Sequence, residues 1–88
     1  MNVQFRESFH KDLRRIRDKD LLNRVKNIIE IVEQATDLSA VPNLERLKGW
    51  STYYRIRIGD YRLGLAVEEN VVTFVRFLHR RDIYRYFP

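Results

Sequence analysis

The chain reads as an α+β fold in the order strand, helix, helix and three strands, β-α-α-β-β-β, with a helical hairpin packed on an antiparallel sheet. Three observations predict it. Apolar residues recur at helical spacing from Phe9 to Val32. They switch to alternation after Thr52. Between two alternating runs stands Gly59-Asp60, the signature of a two-residue hairpin loop.

Residues 2–6 alternate, with Val3 and Phe5 on one side, and predict a short first strand. Ser8 is the expected N-cap of the first helix. Phe9, Leu13 and Ile16 form its apolar stripe, while Lys11, Arg14, Arg15 and Arg17 face elsewhere. Asp18-Lys19-Asp20 breaks the pattern and offers a second cap. Leu21, Val25, Ile28 and Val32, widened by Leu22 and Ile29, then predict a second helix ending near Ala35. Residues 36–46 hold Pro42 and several turn formers and read as loop.

The strands follow. In Tyr53–Ile58, Tyr54, Ile56 and Ile58 alternate against Tyr53, Arg55 and Arg57. A two-residue loop pairs Ile58 with Tyr61 and Arg57 with Arg62. Tyr61, Leu63, Leu65 and Val67 then join the apolar face; Arg62, Gly64 and Ala66 join the arginines. The helices would cover the apolar face and leave the other at least partly open. Glu68-Glu69-Asn70 makes the next turn, and Val71–Leu78 the last strand. Its register stays open. A two-residue loop puts Thr73, Val75, Phe77 and His79 on the arginine face; a three-residue loop puts Arg76 and Arg80 there.

At 88 residues the chain is expected to be a single domain, residues 1–88, with a thin core. It has no cysteine, which excludes disulfides and thiolate metal sites and suits a reducing compartment. No apolar run reaches the ~20 residues of a membrane span. The first residues hold no hydrophobic signal core, so the expectation is a cytoplasmic protein starting near Met1. Net charge is +5. Residues 1–47 carry nine Lys/Arg against eight Asp/Glu; residues 48–88 carry eight against four. The excess therefore lies in the strand half, where it would suit phosphates or an acidic protein.

Arg55, Arg57 and Arg62 are the first candidates for chemistry. Guanidinium groups stay ionised and grip phosphate bidentately. Like charges across a hairpin repel, so the cluster asks for an anion. His79 is the residue suited to proton transfer near neutral pH. Tyr84 and Tyr86 lie on a terminal segment where an aromatic ring could stack on a base. Ile83, Tyr84 and Phe87 read first as a cap on the core's edge, with Tyr86 open, and Trp50 as an anchor for its loop. No serine triad and no Gly-rich phosphate loop occur. Cleavage of RNA by its own 2′-OH needs neither; it needs a base, an acid and positive charge around the phosphate.

The helical hairpin, Leu47-Lys48-Gly49, Tyr54-Arg55-Ile56-Arg57, Gly59-Asp60-Tyr61-Arg62-Leu63 and His79-Arg80-Arg81-Asp82-Ile83-Tyr84 follow one another in an order that resembles the RelE/ParE superfamily of bacterial type II toxins. The resemblance implies the RelE-like microbial ribonuclease fold and a cognate antitoxin that wraps the toxin in a hetero-oligomer. For the RelE branch it implies an endoribonuclease that cuts messenger RNA in the A site of the 70S ribosome, with no metal and no cofactor. By position, Arg55 and Arg57 stand where RelE has two lysines, and Arg62 where an arginine stabilises the transition state. Arg80 matches an arginine proposed as acid or phosphate ligand, and His79 a terminal histidine of the YoeB branch. Tyr86, with Tyr84 as second option, matches a terminal tyrosine that orients the nucleotide.

The resulting catalytic candidates are Arg57, Arg62, His79, Arg80 and Tyr86; the substrate-binding candidates are Lys48, Arg55, Arg81 and Tyr84. Arginine is a poor proton acceptor beside lysine. The general base is unassigned, with Asp60 and Asp82 nearby but reading as turn and cap residues. Two other functions fit: a ParE-like inhibitor of DNA gyrase without nuclease activity, and an inactive RNA-binding relative.

Overall fold

The computed structural model describes all 88 residues. In chain order they form β1 (Asn2–Phe5), α1 (Glu7–Arg14), α2 (Lys19–Gln34), β2 (Leu44–Arg46), β3 (Tyr53–Ile58), β4 (Tyr61–Glu68), β5 (Val71–His79) and α3 (Ile83–Tyr86), with a 3-10 turn at Leu38–Ala40. The expected helical hairpin on a sheet is present. The sheet is larger than expected and mixed, with strands in the order β1-β5-β4-β3-β2. β1 runs parallel to β5, and the other pairs are antiparallel. β2 lies inside the segment expected to be loop, pairing Leu44, Glu45 and Arg46 with Ile56, Arg55 and Tyr54.

Local chemistry explains both helices. Asp18 caps α2, its Oδ1 accepting from the N–H groups of Asp20 (3.0 Å) and Leu21 (3.1 Å). Ala35 ends the helix in extended conformation, as the apolar stripe predicts. Ser8 does not cap α1. The helix begins at Glu7, and the Ser8 hydroxyl donates to the Val75 carbonyl at 2.6 Å. That bond spans most of the chain, so nothing in the local sequence marks it.

The core lies between the helices and one sheet face. Phe9, Val25 and Val32 meet Ile56, Ile58, Leu63, Leu65, Phe74 and Phe77, all buried. Leu13 and Ile28 pack against them, partly buried. This is the helix-covered face the alternation predicts.

β5 resolves its register in a way neither simple loop provides. Glu68 pairs with Val71 across a two-residue turn, and this register holds to the Leu65–Phe74 pair. Val75 is then an extra residue, and Gly64 pairs with Arg76. The bulge turns over the rest of the strand. Thr73 stays on the arginine face as a two-residue loop requires. Beyond the bulge Arg76 and Leu78 take that face, opposite Gly64 and Arg62, while Phe77 and His79 turn to the helices beside Leu63 and Tyr61.

Where β1 ends, α1 runs alongside the far half of β5 and Asp12 completes the edge. Its buried carboxylate accepts from the Phe77 backbone N–H (2.9 Å) and from Arg76 Nε (2.8 Å) and Nη2 (3.0 Å). Hydrogen bonding to Asp12, opposed by partial burial, raises the Arg76 pKa above its ordinary value. One side chain thus ties α1 to both the backbone and a face residue of β5.

Candidate functional site

The Gly59-Asp60 hairpin has the expected register, with Arg57 directly opposite Arg62. Gly59 adopts a φ of +58°, a conformation that a Cβ disfavours. Arg55 projects to the same face one pair further on, opposite Gly64. Arg55, Arg57 and Arg62 line one pocket of about 270 Å³ with Asn43, Leu44, Glu45 and Tyr84. Arg62 Nη1 donates to the carbonyls of Gly59 (3.0 Å) and Tyr61 (2.9 Å), which orients its guanidinium without cancelling its charge. Arg57 pairs with no carboxylate within 4.0 Å. Arg55 has the pocket's one ion pair, to Glu45 Oε1 at 2.6 Å. Partial burial works against its charge, but the bonds to Glu45 and then Tyr84 outweigh it and raise its pKa.

α3 lies over this face. Ile83 and Phe87 are buried with Leu47, as expected of a cap on the core's edge. Gly64 makes room for them: a Cβ there would lie 2.8 Å from the Phe87 ring. Tyr84 is no part of the cap. It is 75 % exposed, and the Arg55 guanidinium sits 5.0 Å from its ring centre. Tyr86, on the β5 side, meets Arg76 at 5.6 Å. Trp50 also departs from expectation: half-exposed, it stands edge-on to Tyr53 rather than anchoring its loop in the core.

His79 is on the other side of the sheet. Its ring stands edge-on to Tyr61 at 5.5 Å, and its Nδ1 accepts from the Arg81 N–H at 3.2 Å. It borders a hollow with Asp12, Arg15 and Asp82. The Val75 bulge is the reason it does not share the arginine face. Arg80 remains beside the hairpin turn, its N–H bonded to the Asp60 carbonyl (2.8 Å) and its Nε 4.0 Å from the Asp60 carboxylate. Arg81 is exposed. Lys48, also exposed, follows β2 at the Tyr53 end of β3, away from the Gly59-Asp60 turn.

Comparison with known proteins fits this geometry. Residues 3–84 match the family model of the ParE toxin of type II toxin–antitoxin systems, parDE. The chain belongs to the RelE/ParE toxin superfamily. It is 39 % identical over 89 residues to toxin RelE3 of Methanocaldococcus jannaschii, covering all of both chains. The RelB–RelE antitoxin–toxin complex from Methanococcus jannaschii contains a chain with TM-score 0.83 and 38 % identity, over 97 % of this chain and 99 % of that one. The archaeal RelE–RelB complex from Pyrococcus horikoshii gives TM-score 0.71 at 24 % identity, over 90 % and 93 %, and shares the fold.

Of the residues the sequence singles out in this toxin, Arg55, Arg57, Arg62 and Tyr84 come together. Arg80 stands at the turn, Tyr86 on the neighbouring arginine, and His79, Arg81 and Lys48 outside the pocket. Sequence reasoning missed Glu45, the pocket's only carboxylate, and Asn43, which has a φ of +59° at its rim. Asn43 follows Pro42 in a turn-rich stretch, a weak signal for such a conformation. Glu45 has no local signal at all, because it reaches the site only through the pairing of β2 with β3.

Proposed function

We propose that this toxin cleaves messenger RNA on the ribosome, with the scissile phosphate held in the Arg55–Arg57–Arg62 pocket. The observation that carries the reading is the convergence of three guanidinium groups and an exposed tyrosine around a single carboxylate. Cleavage begins when the substrate's 2′-hydroxyl attacks the adjacent phosphorus. Glu45, the carboxylate lining the pocket, accepts that proton. Arg57 and Arg62 neutralise the pentacoordinate phosphate, and their side chains need no proton exchange to do so. Tyr84 stacks on the flanking base, with Arg55 fixed behind it. Arg80 holds phosphate at the turn end. The 5′-oxygen leaves with a proton from solvent, completing a cyclic phosphate and a 5′-hydroxyl. The toxin acts in the cytoplasm, where ribosomes are, and a cognate antitoxin covers its basic surface in a hetero-oligomer.

A second reading has a specific observation behind it. The matched family model is that of ParE toxins, and His79 lies off the arginine face. Both suit a toxin that inhibits DNA gyrase by binding alone. The deciding assay is single-turnover cleavage of messenger RNA on programmed 70S ribosomes, with free RNA as control. Wild type cuts on the ribosome and barely cuts free RNA. Arg62→Ala and Glu45→Gln each reduce the rate more than roughly tenfold, whereas His79→Gln reduces it less than about threefold. Absence of cleavage by wild type, with gyrase-dependent DNA damage, sinks the nuclease reading.

A further inference from the structure

A second hollow adjoins the arginine pocket and shares two of its residues. Arg24, Asn27 and Ile28 of α2 line it together with Asn43, Arg57 and Ile58. Arg24 and Asn27 are one helical turn apart, so they present a guanidinium and an amide to the same place. No carboxylate lines this hollow, and neither Arg24 nor Arg57 has one within 4.0 Å. Two arginines converge on the hairpin turn. Arg24 Nη1 lies 3.3 Å from where a Cβ of Gly59 would stand, and Arg62 Nη1 donates to the Gly59 carbonyl at 3.0 Å. Asn43 belongs to both hollows, holds a left-handed backbone, and its carbonyl accepts from the Arg57 N–H at 3.2 Å. Asn43 thus stands at the junction of two positively lined hollows, in a left-handed turn conformation that asparagine adopts readily.

We propose that Arg24 and Asn27, with Asn43 and Arg57, form a second phosphate subsite that takes the phosphate next to the one held by Arg57 and Arg62. The RNA strand then runs from Tyr84 past the hairpin turn and onto α2. The subsite rests on the nucleic-acid reading above. It differs from it in assigning a helix residue, outside the strand cluster, to the substrate strand. Arg57 is the shared element, and it has no carboxylate partner within 4.0 Å.

The test is calorimetric binding of all-2′-deoxy oligonucleotides to the free toxin across a salt series. Lacking the nucleophilic hydroxyl, they bind without being cut. A dinucleotide offers one phosphate between its bases, and a tetranucleotide offers three. Arg24→Ala is expected to leave dinucleotide affinity within about twofold and to weaken the tetranucleotide roughly fivefold or more. Its slope of log affinity against log salt should fall by about 0.7, the value for one single-strand phosphate contact. Asn27→Ala should weaken the tetranucleotide in the same selective way. Arg62→Ala should weaken both ligands. Equal weakening of both by Arg24→Ala, or of neither, overturns the subsite. If Arg62→Ala still weakens both, the arginine pocket survives that result. If wild type binds neither oligonucleotide, pocket and subsite fall together.

Discussion

On the helix-covered face of the sheet, Ile56, Ile58, Leu63, Leu65, Phe74 and Phe77 are all 2 % exposed or less. On the opposite face β3 and β4 present Arg55, Arg57 and Arg62 around a pocket, and α3 with Leu47 covers only part of it. The strands are the same; their two sides serve different ends. One face stores stability in close packing. The other concentrates like charge, which opposes folding. Between them, Asp12 and the Val75 bulge decide which β5 side chains belong to which face.

Breaking the packed face should give the largest loss of stability. Phe74 is fully buried against Phe5 and Phe9, so Phe74→Ala should cost about 3–5 kcal/mol in urea unfolding. If the toxin loses less than about 1 kcal/mol, that face is not the store of stability described.

Asp12→Ala attacks the joint between the faces. It leaves the Phe77 N–H without its acceptor and Arg76 without its partner. Because Arg76 is partly hydrated, the cost should be about 2–3 kcal/mol. Hydrogen exchange at the Phe77 amide should quicken more than at amides in the middle of β4.

Gly64→Ala places a methyl into the Phe87 ring and should cost about 1–3 kcal/mol. Its sharper effect is on the arginine face, where the displaced α3 carries Tyr84 away from Arg55. Cleavage should therefore fall further than the lost stability accounts for. Activity equal to wild type would mean that Tyr84 needs no fixed seat.

Arg57→Ala should have the smallest effect on stability, within about 0.5 kcal/mol, since the side chain is exposed and opposes another arginine. Ribosomal cleavage should nevertheless fall more than roughly tenfold. Stability and activity parting in this way, opposite to Phe74→Ala, is the clearest expression of two faces with two tasks.

Much of this was legible in the residues. Alternation in Tyr53–Ile58 and Tyr61–Val67, with a two-residue loop between them, sufficed to place Arg57 opposite Arg62. Asp18 announced its helix because capping is local. Phe87 and Ile83 were recognisable as core, but Tyr84 between them suited both the core's edge and the substrate; which side of a four-residue helix faces solvent depends on where that helix lands. β2 escaped notice because three residues are too few to show a period, and its Glu45 went unnoticed with it.

By itself, the sequence determined the helical hairpin, the β3–β4 hairpin, the apolar face and the arginine cluster, because period and turn chemistry act between near neighbours. Only the tertiary structure decided that β1 joins β5 in parallel, that β2 brings Glu45 to the arginines, and that His79 turns to the helices. Each of those outcomes depends on contacts between distant segments. The last shows the physical reason most directly. One extra residue at Val75, whose carbonyl accepts from Ser8 far away in the chain, inverts every side chain beyond it.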